Sequence, residues 1–251
     1  MATTPWSFQL YSARNFQPWD KVLKMLGQVG YTRVEGFGGV YADPAAFRKQ
    51  LDANGLSMPS GHFSIDLLEK DFDGAAKIAK TLGVQQMICP HIGADARPTD
   101  AAGWQAFGRR LGKVGDNAKK AGFEFAWHNH DFEFKALPDG SLPQKLMFDA
   151  APGIGWEMDV AWVIRGGADP LKWIAEYGPR ITAVHVKDIA PAGENANEDG
   201  WADVGHGTVD WAGLIKAFRE KSVAKVYVME HDNPSDVDRF ARRSIEAANK
   251  Y

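Results

Sequence analysis

The stretch at residues 124–134, EFAWHNHDFEF, opens as an alternating strand and closes on His128, Asn129, His130, Asp131 and Glu133. Apolar strand residues give way within a few positions to side chains that ligate metals and move protons. In parallel α/β barrels the chemistry lies at the C-terminal ends of the strands. The stretch therefore reads as the fifth strand of a barrel running out into its active site, with the rest of the chain supplying the other walls.

Working outward, strands are expected before it at residues 6–11, 32–36, 56–63 and 84–89, and after it at 154–160, 181–187 and 225–230. Helices are expected at 19–29, 44–53, 69–82, 100–121, 142–150, 170–177, 211–221 and 235–249. Several stop at Gly30, Asn54-Gly55, Gly83 or Gly122, residues that close helices readily. Strict alternation implies right-handed βαβ units and a parallel sheet. Eight such units in 251 residues favour closure into a (β/α)₈ TIM barrel, a single α/β domain over residues 1–251. An open doubly wound sheet is the alternative. It is disfavoured because no strand-to-helix turn carries a glycine-rich phosphate fingerprint; Gly36, Gly38 and Gly39 match only in part and read as a tight loop.

A hydrophobic content of 45% over this length suffices for a large core. The net charge of −3 offers no basic footprint for nucleic acid. No stretch approaches the ~20 apolar residues of a membrane span. The first residues, MATTPWSFQLYS, lack the basic and apolar regions of a secretory leader. The lone Cys89 forms no internal disulfide; in a strand-like run it reads as a core thiol, which fits a reducing cytoplasm. Most of the nine Trp are expected in the core, although indole faces also suit sugar C–H surfaces.

The expected strand ends carry Glu35, His62, His91, then His128, His130 and Glu133, then Glu157 and Asp159, His185 with Lys187 and Asp188, and Glu230 with His231. Each alone has an ordinary explanation as a rim ion pair, a helix cap or a satisfied histidine. Together they exceed what packing requires. Asp159, His185 and Glu230 occupy equivalent places on three successive strands and should converge. With Glu133 they form three carboxylates and one imidazole, a set suited to one divalent ion (Mn²⁺, Mg²⁺, Co²⁺ or Zn²⁺) with positions open to substrate oxygens. A closed structural zinc site is disfavoured, since it usually recruits more than one cysteine.

The chain resembles the xylose isomerase-like TIM barrels, the superfamily of sugar isomerases and epimerases that also holds endonuclease IV-type DNA-repair enzymes. The resemblance runs along essentially the whole chain, through QLYS at 9–12, VEGFGG at 34–39, HNHDFEF at 128–134, Asp159, HVKD at 185–188, GHGTVDW at 205–211 and Glu230. It implies a single-metal site of Asp159, His185 and Glu230 with a fourth ligand from the fifth strand. Family epimerases carry a glutamate directly at that strand end, where this chain has His128. Glu133 is the expected replacement, with His128 the second choice. Those epimerases use glutamates from the fifth and eighth strands as acid and base; with the former displaced, His130 becomes the more natural base, its unperturbed pKa of ~6.5 lying near operating pH. The DNA-repair branch needs a histidine three residues after the sixth-strand aspartate, where this chain has Trp162. An HNH nuclease needs a ββα context that this unit does not offer.

The expected chemistry is proton removal next to a carbonyl of a sugar-like substrate. The metal would act as Lewis acid and template, and Lys187 and Glu230 would assist. His62, His91, His128 and Trp162 are candidates to bind sugar hydroxyls and faces, as is Trp156. Trp127 is the expected core residue of the Trp127–His128 pair by strand alternation. A sugar isomerase or epimerase is the first expectation and a lyase or dehydratase acting on a 3-keto-glycoside or related keto-sugar the second. A non-catalytic sugar-binding barrel is a third, and it predicts damaged ligands. Residues 205–211 are expected to form a flap, with His206 touching substrate and Asp210 capping the next helix. No arginine cluster marks a phosphate pocket, so an unphosphorylated substrate is expected. Barrels of this family often pair, so a homo-oligomer is compatible with the resemblance.

Overall fold

The computed structural model describes residues 5–251, so the first four residues of the stretch read for a leader lie outside it. Eight parallel strands close into a barrel: β1 (Trp6–Gln9), β2 (Arg33–Gly36), β3 (Ser57–His62), β4 (Gln86–Cys89), β5 (Glu124–His128), β6 (Gly155–Asp159), β7 (Ile181–Val186) and β10 (Val226–Met229), with β10 sealing against β1. Two short strands, β8 (Asp188–Ile189) and β9 (Trp201–Ala202), form an antiparallel pair in the loop after β7.

The helices that wrap the barrel form where the sequence places amphipathic stripes between clear stops. Helix α1 (Trp19–Val29) buries Val22, Leu23 and Leu26 and ends on Gly30 at φ 110°, a left-handed conformation that glycine adopts without strain. Helices α2 (Pro44–Ala53), α8 (Pro170–Tyr177) and α9 (Trp211–Lys221) occupy the expected residues. Asp43, Asp169 and Asp210 each accept a backbone N–H at the helix start, as good N-caps do. Helix α5 (Ala101–Lys120) packs on α6 (Pro143–Ala150), and α10 (Val237–Ala248) closes the ring.

The simple alternation is corrected in three places. The helix expected at 69–82 is two, α3 (Ile65–Lys70) and α4 (Phe72–Leu82), because Asp71 leaves the helical conformation at ψ 65° to cap α4 through Gly74 N–H. A further helix, α7 (Val160–Arg165), starts directly from β6, with Asp159 as its cap. The β8/β9 pair was not expected, since each strand is two residues long. Strand ends also fall short of expectation, as at β1, which passes into a 3₁₀ turn at Leu10–Ala13.

The main apolar core lies between strands and helices and includes Phe8, Leu23, Trp127, Trp156, Phe148 and Phe240. Cys89 is buried and free there. A small separate cluster of Ala183, Val226 and Val228 fills part of the barrel interior. By the two-residue repeat of a strand, His185 follows Ala183 on that inner face, and Glu230 follows Val228.

The expected flap is clamped. Asp188 accepts backbone N–H bonds from Ile189 (2.9 Å), Gly205 (2.9 Å), Val209 (3.1 Å) and Gly207 (3.2 Å). A Cβ on Gly207 would lie 2.2 Å from Asp188 Oδ1, so only glycine fits under the carboxylate. Asp188→Ala is expected to cost about 3 kcal/mol by stripping several amides of their acceptor. Urea unfolding measures the loss, and an unchanged midpoint would show that the clamp contributes nothing.

Candidate active site at the mouth of the barrel

The register sets His128 beside Glu157 and Asp159 beside His185. Glu157 and Asp159, two residues apart on β6, therefore share a face. Glu35 Oε1 accepts from Gln9 Nε2 at 2.8 Å, and Glu35 Oε2 accepts from Ser60 Oγ at 2.5 Å. The same Oε1 lies 2.7 Å from His185 Nε2 and 3.0 Å from His62 Nε2. Oε2 of Glu157 sits among three imidazoles, at 2.7 Å from His62, 3.0 Å from His128 and 3.2 Å from His185. On its other edge, His185 Nδ1 is 3.0 Å from Glu230 Oε2 and 4.0 Å from Asp159 Oδ2. The Lys187 ammonium lies 2.6 Å from Asp232, 3.3 Å from Glu230 and 3.8 Å from Asp159.

These groups are buried, and burial alone would neutralise them. For Glu35 the adjoining His62 and His185 overcome that penalty and hold the carboxyl far below the usual range. Burial likewise opposes charge on His62 and His185, but the surrounding glutamates prevail, raising His62 to about 9 and holding His185 well above the usual imidazole range. Lys187 and His185 together overcome burial at Glu230 and keep it ionised. Asp159 differs: burial outweighs Lys187 and His185, and its carboxyl rises to about 7. His128 is lowered by burial and by His185, and His130 falls to about 3 through burial and Lys187, so both rings stand neutral.

The donors fit a divalent ion. Among the described residues, one ligand atom from each of His128, Asp159, His185 and Glu230 lies within 4.8 Å of the others, and the same holds for His62, His128, Glu157 and His185. The first set is the better cradle. Asp159 Oδ2 is buried with no hydrogen-bond partner. A buried carboxylate oxygen without a hydrogen bond is costly, and a cation closer than the Lys187 ammonium at 3.8 Å relieves that cost. In the second set Glu157 Oε1 is also without a partner, but Oε2, the oxygen facing the rings, already meets three ring nitrogens.

A cleft of about 650 Å³ opens above this array, lined on one side by His62, His128, His130 and Glu230, with His91 and Asp232 at its edge. His62, His91, His128 and His130 therefore gather where expected. His130 Nδ1 is buried without a partner, and the ring packs 5.3 Å from Trp162. Other expected residues lie elsewhere. Lys187 is fully buried behind the carboxylates, under Trp162 and Trp201 at 4.9 and 4.2 Å, and does not line the cleft. Trp156 is core, its indole N–H given to Asn129. His206 is exposed and lines a separate polar recess of about 300 Å³ beside Glu198 and Arg239, because the clamp on residues 205–209 holds it there.

Glu133 does not join either donor set. Its carboxylate turns back to accept Trp127 Nε1–H at 3.2 Å and His130 N–H at 3.0 Å, which braces the turn after β5. Burial drives it up to about 8. That value lies above the about 4.3 of a free glutamate. Its contribution to stability is therefore fully present below about pH 4.3 and is lost as pH rises through about 8. Glu133→Gln must turn one amide hydrogen towards a donor, a cost of about 1–3 kcal/mol. The stability gap between wild type and Glu133→Gln should be widest in acid and narrow towards pH 8. A gap that widens with pH would mean that the carboxyl is ionised.

Three supporting groups were given no role from the sequence, although Asn129 and Gln9 lie within the motifs quoted from it. Asn129 Oδ1 accepts the Asp159 backbone N–H at 3.0 Å and so fixes the root of that side chain. Asp232 pairs with Lys187, and Gln9 orients Glu35. Only Gln9 carried a signal, through the strand parity it shares with Ser7.

A sequence model of the xylose isomerase-like TIM barrel matches residues 23–251. The chain belongs to this family. Among curated relatives, the rhizopine catabolism protein MocC of Rhizobium meliloti is 26% identical over 68% of this chain and 58% of its own length. Inosose dehydratase of Klebsiella pneumoniae is 26% identical over 73% of this chain and 67% of its own. The chain thus spans about three fifths of the first of these relatives. Among solved structures, a sugar phosphate isomerase/epimerase from Parabacteroides distasonis superposes with a TM-score of 0.81 at 22% identity, covering 100% of this chain and 94% of the other. The IolI protein with a bound zinc atom superposes at 0.76 and 14% identity, covering 98% and 95%. At such identities these two likenesses establish the xylose isomerase-like fold. Within it, the strand-5 position nearest the donors is held here by His128, with Glu133 turned aside.

Proposed function

We propose that this barrel is a divalent-metal-dependent lyase, eliminating a β-substituent from a keto-sugar or keto-cyclitol after removal of the proton next to the carbonyl. The observation that carries this reading is the arrangement around His130. A neutral imidazole lines the cleft beside Glu230, while the carboxylate expected from the turn after β5 is engaged in bracing that turn. An imidazole base free of the ion cradle, with no Glu133 to face Glu230 across a substrate, suits elimination better than a two-carboxylate epimerisation. The named activity of the inosose dehydratase relative is a reaction of this type.

His128, Asp159, His185 and Glu230 would hold the ion. When bound it would supply Lewis acidity to a carbonyl and an adjacent hydroxyl. His185 is prepared for this by Glu35, which takes the Nε2 side of the ring at 2.7 Å and leaves Nδ1 to face Glu230 and Asp159. His128 is likewise held through Nδ1 by Glu157. His130 takes the proton next to the carbonyl, and His62 at the cleft, kept protonated against burial by Glu35 and Glu157, is placed to protonate the leaving oxygen. Lys187 acts from behind, holding Glu230 and Asp159 in place.

Proton NMR in D₂O tests the reading, with Mg²⁺- or Mn²⁺-loaded protein, an EDTA-treated control, and a panel of free ketoses, an inosose and 3-keto-glycosides. The expected result is metal-dependent loss of an α-proton signal with appearance of an unsaturated ketone. Exchange with a new sugar isomer would make the protein an isomerase or epimerase. No exchange on any member would leave a sugar-binding barrel.

A further inference from the structure

The mouth of the barrel is divided. Every donor of the favoured cradle comes from the contiguous arc β5, β6, β7 and β10. The arc β4, β3, β2 and β1 supplies a different lining: Tyr11 and Phe37 after β1 and β2, Phe63 and Leu67 after β3, and Pro90 after β4. We propose that this second arc is a subsite for an aromatic aglycone, so that the substrate is a keto-sugar bearing an aryl group through oxygen at its β carbon. This rests on the elimination reading above and specifies its leaving group.

The wall is prebuilt. Tyr11 meets Phe37 edge-on at 5.5 Å, Phe37 is backed by Trp19 at 6.0 Å, and Phe63 stacks on Tyr41 at 4.9 Å. Tyr11 remains 38% exposed, among the most exposed large apolar side chains described, and Arg14 lies 4.0 Å from its ring centre. Apolar surface held open inside a cleft marks a place where a ligand is seated. A volume of about 650 Å³ falls within the range of sites for drug-sized ligands and exceeds the need of one six-membered sugar ring. Beyond His62, His91 and the tyrosine hydroxyls, the arc offers few polar groups among its apolar side chains. The Ser64 oxygen caps α3 through Leu67 N–H, and one nitrogen of Arg14, Nη1, is given to the Asp232 and Tyr11 carbonyls. A second sugar would find few partners for its hydroxyls there, whereas an aryl face needs none.

The chemistry is consistent with that occupant. The C–H bond next to the carbonyl breaks and its proton passes to the base. The electron pair forms the C=C bond as the C–O bond to the aglycone breaks. The oxygen leaves with the bonding pair and is protonated, giving a phenol and an unsaturated keto-sugar, with no oxidant or reductant needed. A phenol, with a pKa near 10 as in tyrosine, leaves far more readily than an alcohol.

The test separates binding from turnover. Phenyl, methyl and glucosyl β-glucosides, which have no ketone and cannot react, are titrated calorimetrically into the Mg²⁺-loaded protein. The phenyl compound is expected to bind about tenfold or more tighter than the methyl, with its ring protons the most strongly saturated in saturation-transfer NMR. Phe37→Ala, and Leu67→Ala should the first not fold, is expected to narrow that gap. Equal binding of phenyl and methyl, or tightest binding of the glucosyl compound, would overturn the aryl subsite. A phenyl preference without metal-dependent exchange on any keto-sugar would instead count against the elimination reading.

Discussion

Asp159→Asn is expected to lower divalent-ion affinity by more than a hundredfold while leaving the fold intact. Changes to groups that only orient metal ligands typically cost 10–100-fold, so loss of a direct charged donor should exceed that. The substitution is conservative for structure. Asparagine retains the oxygen that caps α7 through Trp162 N–H at 2.9 Å, and Asn129 continues to hold the backbone of residue 159. What disappears is Oδ2, the buried oxygen that has no hydrogen-bond partner. In its place stands an NH₂ directed towards Lys187 and His185, which repels a cation. Calorimetric titration with Mn²⁺ gives the affinity, and the ion-induced rise in melting temperature, which follows from linkage, should vanish with it. Affinity within a few-fold of wild type would remove Asp159 from the ligand set and shift attention to His62, His128, Glu157 and His185.

His130→Gln should slow α-proton exchange by about 10²–10⁴-fold, the usual worth of a positioned general base, while ion affinity stays within a few-fold of wild type. Its ring lines the cleft, stacks on Phe132 at 5.9 Å and belongs to neither donor set. Glutamine keeps a polar side chain of similar length, so packing against Phe132 and Trp162 is largely preserved. Separating the two readouts matters, because a collapse of the turn would lower both. Ion affinity falling in parallel with exchange would assign His130 to the architecture of the site. Exchange at the wild-type rate would move the base role to Glu230.

Much of the fold was legible in the chain because its signals are local. Helices α1, α2, α8 and α9 begin and end on the expected residues, since proline or aspartate starts and glycine stops act within a turn of the boundary. The alternation of strand and helix implied a parallel barrel, and strand parity placed Asp159, His185 and Glu230 on inner faces. The split at Asp71 and helix α7 were missed because a single capping aspartate decided each, and the same residue type serves equally inside a loop.

What the sequence by itself determined is the inventory and the parity: which side chains end the strands, and which of them face inward. Where those side chains aim was decided only by tertiary structure. Glu133 and His128 lie five residues apart and were both plausible donors. The choice turned on Trp127, whose buried indole N–H needs an acceptor and draws Glu133 away. His206 looked like a substrate contact until Asp188, eighteen residues earlier, took the loop amides and held it out of the cleft. Glu35 gained its place from Gln9, Ser60 and His185, on three other strands. Burial makes each such hydrogen bond compulsory, and only closure of the barrel shows which groups are buried together.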